Sequence, residues 1–364
     1  LVLIDTGSFF LAAQVHASLR EWTTREAHTA VFTHGHVDHV FGTERYESER
    51  AERGLSPLTV VAHRRVPARF ERYRRSPGYN ACINARQFRM NVPWPIDYRA
   101  PDRLYDDALT LDVGGERFEL HHAEGETDDH TWVWAPSRRT VCTGDLFIWA
   151  TPNAGNPQKL RRNPREWALA LRAMQALGAE VLCPGHGLPI VGEDIVRRAL
   201  DETASVLEHL HDATLAMMNE GASLDEILHS VHAPEHLLAR PYLRPVYDEP
   251  EFIVRNVWAN YGGWYDGDPA RLKPAPQESL AREICALAGG VSPLVARAKE
   301  LAAAGDLRLA CHLIEFAAQA EPSDSTVVEA RREVYSLRAS RESSLMARGV
   351  YFDAADSSPR VKRA

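Results

Sequence analysis

The sequence predicts an α/β region followed by an all-α region, and three observations carry that division. Short apolar and β-branched runs alternate with stretches of helical periodicity as far as about Glu193. Beyond that point strand signals stop, and alanine-rich segments with helical spacing fill the chain. Within the first region, Thr33-His34-Gly35-His36-Val37-Asp38-His39 directly follows the apolar run Ala30-Val31-Phe32. A loop after a strand is where α/β proteins place chemistry.

At 364 residues the chain has the length of two domains, and a 45% hydrophobic content suffices for a core in each. A formal net charge of -8 leaves no broad basic footprint for nucleic acid. No apolar run approaches the roughly 20 residues that cross a bilayer, so no membrane span is expected. The cysteines Cys82, Cys142, Cys183, Cys285 and Cys311 are odd in number, widely spaced and without a C-x-x-C pair. That pattern argues against a disulfide framework or a thiolate zinc site and favours a reducing, cytoplasmic compartment. The chain opens at Leu1 and reads at once as a strand, so residues upstream of it are expected, with room among them for an export signal.

Taken in order, Leu1-Val2-Leu3-Ile4 reads as a buried strand ending in the turn Asp5-Thr6-Gly7. Asp5 is then either a turn carboxylate or an acceptor that fixes the tautomer of a ligand histidine. Leu11, Val15, Leu19 and Trp22 recur at helical spacing over 10–22, and 29–32 is the next strand, a βαβ beginning. A charged helix over 41–53, a strand over 58–62 and a basic helix over 66–75 follow, with His63 a strand-end residue and not a ligand. Between 76 and 107, Pro77, Pro93, Pro95 and Pro101 with Tyr79, Phe88, Trp94 and Tyr98 predict an ordered loop, since aromatic surface is costly in water. That loop either shapes a substrate pocket or packs without touching ligand.

Strands resume at 109–113, 118–122, 132–135 and 140–143, with Gly114-Gly115 and Pro136-Ser137 as hairpin turns. Glu126 and Asp145 stand at strand ends. An Asn- and Pro-rich loop over 152–164 leads to a helix over 165–177, and a strand over 180–183 delivers Pro184-Gly185-His186-Gly187. Glycines on both sides let His186 approach a metal closely. A long amphipathic helix over 194–220, a helix over 224–232 capped by Ser223, and a linker marked by Pro234, Pro241, Pro245 and Pro250 come next. Helices near 277–287, 293–304, 307–320 and 325–339 then suggest packed helix pairs in the manner of tetratricopeptide repeats. The expected division is a catalytic domain over 1–220, a helical domain over 221–345, and a polar, fraying tail over 346–364.

Three histidines and one carboxylate within six positions make sense if imidazoles and a hard oxygen converge on metal ions, because burying such a knot without metal is costly. A binuclear centre is the reading, with His186 as its last ligand. His121 and His122 precede the strand-end turn and His130 lies beyond Glu126, so these three are set aside.

The pattern H-x-H-x-D-H, with Gly35 permitting the tight turn, resembles the metallo-β-lactamase superfamily and implies its αββα sandwich. Gly125-Glu126-Thr127 stands where that superfamily usually carries Gly-His-Thr, a replacement similar to that of its alkylsulfatase branch. Tyr261-Gly262-Gly263-Trp264-Tyr265-Asp266-Gly267 and the helices after it resemble the alkylsulfatase dimerisation domain, which implies a homodimer. The resemblance favours the tautomer-fixing role for Asp5. It places His34, His36 and Glu126 on one metal, Asp38, His39 and His186 on the other, and Asp145, where alkylsulfatases carry glutamate, as the bridge.

The activity implied is hydrolysis of a sulfate ester or related small anionic ester by a metal-bridging hydroxide, with Asp38 at the catalytic centre. Two divalent ions are expected, zinc ahead of iron or manganese. Charge developing on the anion needs a preorganised partner, for which the loop after Asp145 offers Asn153 and Asn156, then Lys159 ahead of Arg161 and Arg162. Thioester, lactone and phosphodiester hydrolysis share the same core motif. A scaffold with a structural metal is the reading outside catalysis, but seven ligands exceed the four that close a structural zinc site.

Overall fold

Runs such as Thr59-Val60-Val61-Ala62-His63 are β-branched and apolar on both faces, as strands buried from both sides must be. In the computed structural model, which describes residues 1–357, they build two sheets. The first contains β1 (Val2–Ile4), β2 (Thr29–Val31), β3 (Thr59–His63) and β4 (Arg103–Tyr105), all parallel and in that order. Parallel neighbours need crossovers. These are α1 (Ala12–Trp22), then α2 (Val37–Val40) with α3 (Thr43–Glu52), then α4 (Val66–Arg75) and α5 (Pro77–Phe88).

The second sheet has the order β10-β9-β8-β7-β6-β5. β5 (Ala108–Val113), β6 (Glu116–Ala123), β7 (His130–Ala135) and β8 (Thr140–Ile148) form an antiparallel meander. After α6 (Pro164–Gln175), β9 (Val181–His186) pairs parallel to β8, and β10 (Ile190–Val191) closes the edge. Alternation along the strands decides the layers. Val31 and Val61 point from the first sheet into a shared layer with Leu111, Leu120 and Val133 of the second. Val60 and Ala62 face the other way, onto Phe70 and Tyr73 of α4. Trp132 and Trp134 face outward onto a core shared with Trp167 and Leu171 of α6 and Leu200 and Leu207 of α7 (Glu193–Asn219). The result is the expected αββα sandwich.

By its internal contacts this unit comprises residues 1–80 and 93–263. It includes α8 (Leu224–Ser230), whose start is a capping box between Ser223 and Glu226, α9 (Glu235–Leu238) and α10 (Pro250–Gly262). The second unit takes residues 81–92 and those from Trp264 on. It contains α11 (Pro269–Leu272), α12 (Gln277–Leu287), α13 (Val291–Ala303), α14 (Leu307–Ala320), α15 (Ser325–Arg341) and α16 (Leu345–Asp356). Small residues such as Ala281, Ala298, Ala310 and Ala330 let these helices close around Ile314 and Val334.

Several expectations change. The stretch over 76–107 is not all loop: α5 starts at Pro77, tolerated because a first-turn N–H has no intrahelical partner to lose. Pro250 likewise opens α10 where a linker was read. Residues 346–356 are not a frayed tail but most of α16, capped by Ser344 and burying Met346 and Ala347; 358–364 lie outside the described residues. By packing, α8 and α10 join the first compact unit, because both share the core of α7. Asp145 lies within β8, not at its end, and follows a register shift at Gly144, whose φ is +51°. A bulge of this kind re-aims the side chain that follows it.

Candidate metal centre

The site begins with Asp5 at the end of β1. Its backbone takes a left-handed φ of 62°, and its carboxylate accepts from Thr33 N and Thr33 Oγ1, both at 2.7 Å. That pins the end of β2. The same Oδ2 lies 2.7 Å from His39 Nδ1, so His39 donates from Nδ1 and turns Nε2 toward the site, as the sequence reading of Asp5 anticipates. The turn at Gly35 is held by a second carboxylate: Gly35 N donates to Asp129 Oδ2 at 3.0 Å, while Asp129 Oδ1 accepts from Arg69 Nε at 2.8 Å. A Cβ on Gly35 would sit 3.0 Å from Arg69 Cδ and 3.1 Å from Asp129 Oδ2. α2 then starts immediately after His36 and carries Asp38 and His39 on its first turn.

All seven expected ligands converge in two groups. His34, His36, Glu126 and Asp145 present ligand atoms within 4.8 Å of one another, and so do Asp38, His39 and His186. In the first group His34 Nε2 lies 2.8 Å from His36 Nδ1 and 3.6 Å from Glu126 Oε2. In the second, His186 Nε2 lies 3.3 Å from Asp38 Oδ2. Asp145 touches both: its Oδ1 is 3.3 Å from His39 Nε2, and its Oδ2 is 3.5 Å from His186 Nε2 and 3.9 Å from His34 Nε2. The backbone of Gly185 backs this carboxylate so closely that a Cβ there would fall 2.0 Å from Oδ1.

Three buried atoms in this cluster, His39 Nε2, Glu126 Oε2 and Asp145 Oδ1, have no hydrogen-bond partner among the described residues. Such atoms are expensive to leave unsatisfied, and all three point at neighbouring ligand groups. Burial, joined by the imidazoles of His39 and His36, pushes His34 well below its ordinary pKa and keeps it in the neutral form that offers a lone pair. Burial acts to raise the Asp145 carboxyl, but His39 and His186 hold it well below the usual carboxylate range. Against burial, Asp145 raises His39 well above its ordinary value, and it lifts His186 to about 10, so these two give up a proton when a cation binds; with His34 neutral and Asp145 ionised, the donor set suits divalent cations of borderline hardness and the residues fit metal.

The loop after β8 supports Glu126. Asn153 Nδ2 donates to Glu126 Oε1, Arg162 Nη2 lies 3.2 Å from the same oxygen, and Arg162 Nη1 donates to the Asn153 carbonyl. Glu126 therefore has one oxygen tied down and the other free to face His34 and His36. Asn153, read in the sequence as a donor to the anion, has its amide committed to Glu126 instead. The loop itself is clamped by buried Asp248, whose carboxylate accepts from Gly155 N at 2.6 Å and Glu249 N at 2.8 Å. Lys159 is half-buried, with Nζ 5.4 Å from the Trp94 ring centroid. Burial and Arg162 lower its pKa to about 8 while Glu126 and Asp38 oppose them, so its ammonium lies in the field of both ligand groups.

Arg161 donates to the Ala259 carbonyl, and Asn156 accepts from Gln158 N. Of the histidines set aside, His121 stacks on Trp132, His122 on His63, and His130 on His34 at 4.6 Å with Nε2 3.2 Å from the Thr143 carbonyl. Sequence reasoning missed Arg69, Asp129 and Asp248. The acidic run Asp128-Asp129 beside Glu126 was the one available signal for them.

Residues 1–186 match the family model of the metallo-beta-lactamase superfamily, and the chain belongs to that superfamily. Residues 223–359 match the model for alkyl sulfatase dimerisation, so the helical part is a domain of that kind. A linear primary-alkylsulfatase of a Pseudomonas strain is 28% identical over 348 residues, covering 89% of this chain and 65% of that protein. An alkyl/aryl-sulfatase of Saccharomyces cerevisiae is 24% identical over 353 residues, covering 89% and 54%. The solved structure of the stereoselective inverting sec-alkylsulfatase Pisa1 from Pseudomonas sp. shares the fold, with a TM-score of 0.85 at 22% identity over 97% of this chain and 60% of that one. The chain thus spans between about half and two thirds of the length of these relatives. Among the described residues no single helix is long and apolar enough to cross a membrane.

Proposed function

We propose that this chain is a metal-dependent hydrolase of small sulfate esters, working with two divalent ions, zinc ahead of iron or manganese. The observation that supports it most is Asp145, whose two oxygens face two adjoining ligand groups in a superfamily member whose curated relatives are named alkylsulfatases. His34, His36 and Glu126 would hold one ion, Asp38, His39 and His186 the other, with Asp145 shared. Bound there, the ions would supply Lewis acidity and acidify water at neutral pH. The chain supplies the rest. Asp5 holds the His39 tautomer, Asn153 and Arg162 aim Glu126, and Lys159, largely protonated at pH 7, faces the anion with positive charge.

Thioester, lactone and phosphodiester hydrolysis are the alternatives, and a direct comparison separates them. Metal-loaded protein given p-nitrophenyl sulfate, p-nitrophenyl acetate, dihydrocoumarin and bis(p-nitrophenyl) phosphate in parallel should turn over the sulfate ester fastest. Lys159→Ala should slow that reaction roughly 10- to 1000-fold, the scale of losing one charge-stabilising group, while the acetate suffers little. Faster turnover of another ester would displace sulfate as the substrate, and equal losses on charged and neutral esters would remove Lys159 from anion recognition.

The dimerisation model over 223–359 supports a homodimer as the working assembly. Light scattering at micromolar concentration should give twice the chain mass; a monomer there would overturn it.

A further inference from the structure

Cys142 and Cys183 are distant in sequence but partnered in register on the parallel strands β8 and β9. Side chains at partnered positions of a parallel pair stand on the same face, on strands about 4.8 Å apart, a separation within the Cα range that a disulfide spans. Both are free thiols and only half-buried, and Cys142 packs into the layer between the sheets that also holds Val2 and Ile4. The two thiols perturb one another through a direct interaction. It lifts Cys142 well above the ordinary thiol range, with burial adding, and holds Cys183 below it, so Cys183 is the better source of thiolate. Each cysteine also lies three residues ahead of a proposed ligand on its own strand, Cys142 before Asp145 and Cys183 before His186.

We propose that Cys142 and Cys183 form a peroxide-sensitive thiol pair that closes to a disulfide and, in doing so, loosens the neighbouring metal centre. The second half rests on the metal reading above. The Cys183 thiolate attacks one oxygen of hydrogen peroxide, the O–O bond breaks, hydroxide leaves, and a sulfenic acid forms. Cys142 loses its proton and attacks that sulfur; the S–S bond forms as the S–O bond breaks and a second hydroxide leaves. Two thiols are oxidised by two electrons and the peroxide is reduced to two waters. A disulfide prefers Cα atoms about 5.5–6 Å apart, so closing it strains β8 and β9 away from their spacing of about 4.8 Å beside the bulge that aims Asp145. Gly185 already backs that carboxylate without room for a methyl group, so the strain falls on the ligand.

Full-length, metal-loaded protein treated with a small excess of hydrogen peroxide, blocked with N-ethylmaleimide and digested without reductant should yield one peptide pair joining Cys142 to Cys183. It should weigh two hydrogens less than its parts, separate with dithiothreitol, and be absent from C142S and C183S. A chromogenic chelator should strip metal from the oxidised protein about 10-fold faster than from the reduced, the scale of disturbing a ligand's supporting shell, while in C142S, which can form a sulfenic acid at Cys183 but no disulfide, peroxide leaves the release rate unchanged. No linked peptide, with Cys82 or Cys311 oxidised instead, overturns the pair. A linked peptide with unaltered metal release overturns the coupling. Reduced protein that retains no metal yet still yields the linked peptide sinks the metal reading and leaves the disulfide standing.

Discussion

Asp145→Ala should leave the protein with at most one metal ion per chain and slow ester hydrolysis about 1000-fold or more. Among the seven converging groups, Asp145 offers one carboxylate to both sets, through Oδ1 toward His39 and Oδ2 toward His186 and His34. Its loss leaves His39 and His186 facing only Asp38 across the second set, and removes the shared negative charge that would let two cations sit side by side. Metal ions contribute several kcal/mol of transition-state stabilisation, and each 1.36 kcal/mol is a factor of ten, which gives about three powers of ten. Elemental analysis and initial rates on metal-supplemented variant check this. A full complement of two ions, or a rate within tenfold of the parent, would sink the shared role of Asp145.

The largest effect on stability should come from Asp129→Ala, a residue outside the ligand set. Asp129 is fully buried and faces the guanidinium of Arg69, itself only 7% exposed, while its other oxygen holds the Gly35 turn. Removing one partner of a buried ion pair strands the other charge, at a cost of about 3–5 kcal/mol. Asp128 also meets Arg69 but is itself 56% exposed and cannot replace a buried counter-charge. The effect should depend on pH. Burial acts to raise the Asp129 carboxyl, yet Arg69 and Thr127 leave it below its ordinary value. A carboxyl depressed in the folded state stabilises above the unfolded pKa of about 3.9, and that contribution disappears as pH falls through the folded value. Parent and variant should therefore differ most near neutral pH and converge in acid. A urea midpoint unchanged at pH 7 would show that the pair contributes nothing net.

His34, His36, Asp38 and His39 were legible because such types are chemically unusual at that density, and His186 because glycines flank it; Glu126 and Asp145 were assigned through the family resemblance. The helices over 66–75, 277–287 and 307–320 were legible for a plainer reason: long, strongly periodic segments with clear stops leave little to tertiary context. What composition hid were elements that begin at proline. α5 and α10 both open at Pro77 and Pro250, and a proline weighs as a breaker unless the first turn is already known to lie there. The support of the site was hidden differently. Asn153 could be read as a polar donor beside the centre, but that its amide would be taken by Glu126 depends on a loop path set by Asp248, some ninety residues downstream. Arg69 on a basic helix and Cys142 opposite Cys183 are likewise facts of packing and register.

The ligands come from four separate stretches of chain. Those around His34 to His39 leave the first sheet, and Asp145 and His186 belong to strands of the second. With the proposed ions bound, the centre is therefore a cross-link: it ties the end of β2 to β8 and β9 and closes very long loops, from His34 to Glu126 and from Asp38 to His186. The entropy of closing such loops rises only slowly with their length, so a tie between remote segments restrains the chain at little extra cost over a local one. Because the unfolded chain offers no preformed site, ion binding is also folding free energy. At a free-ion concentration a hundred times Kd it amounts to about 2.7 kcal/mol. Ion supply then governs how much of the protein persists folded as well as how fast each folded molecule works.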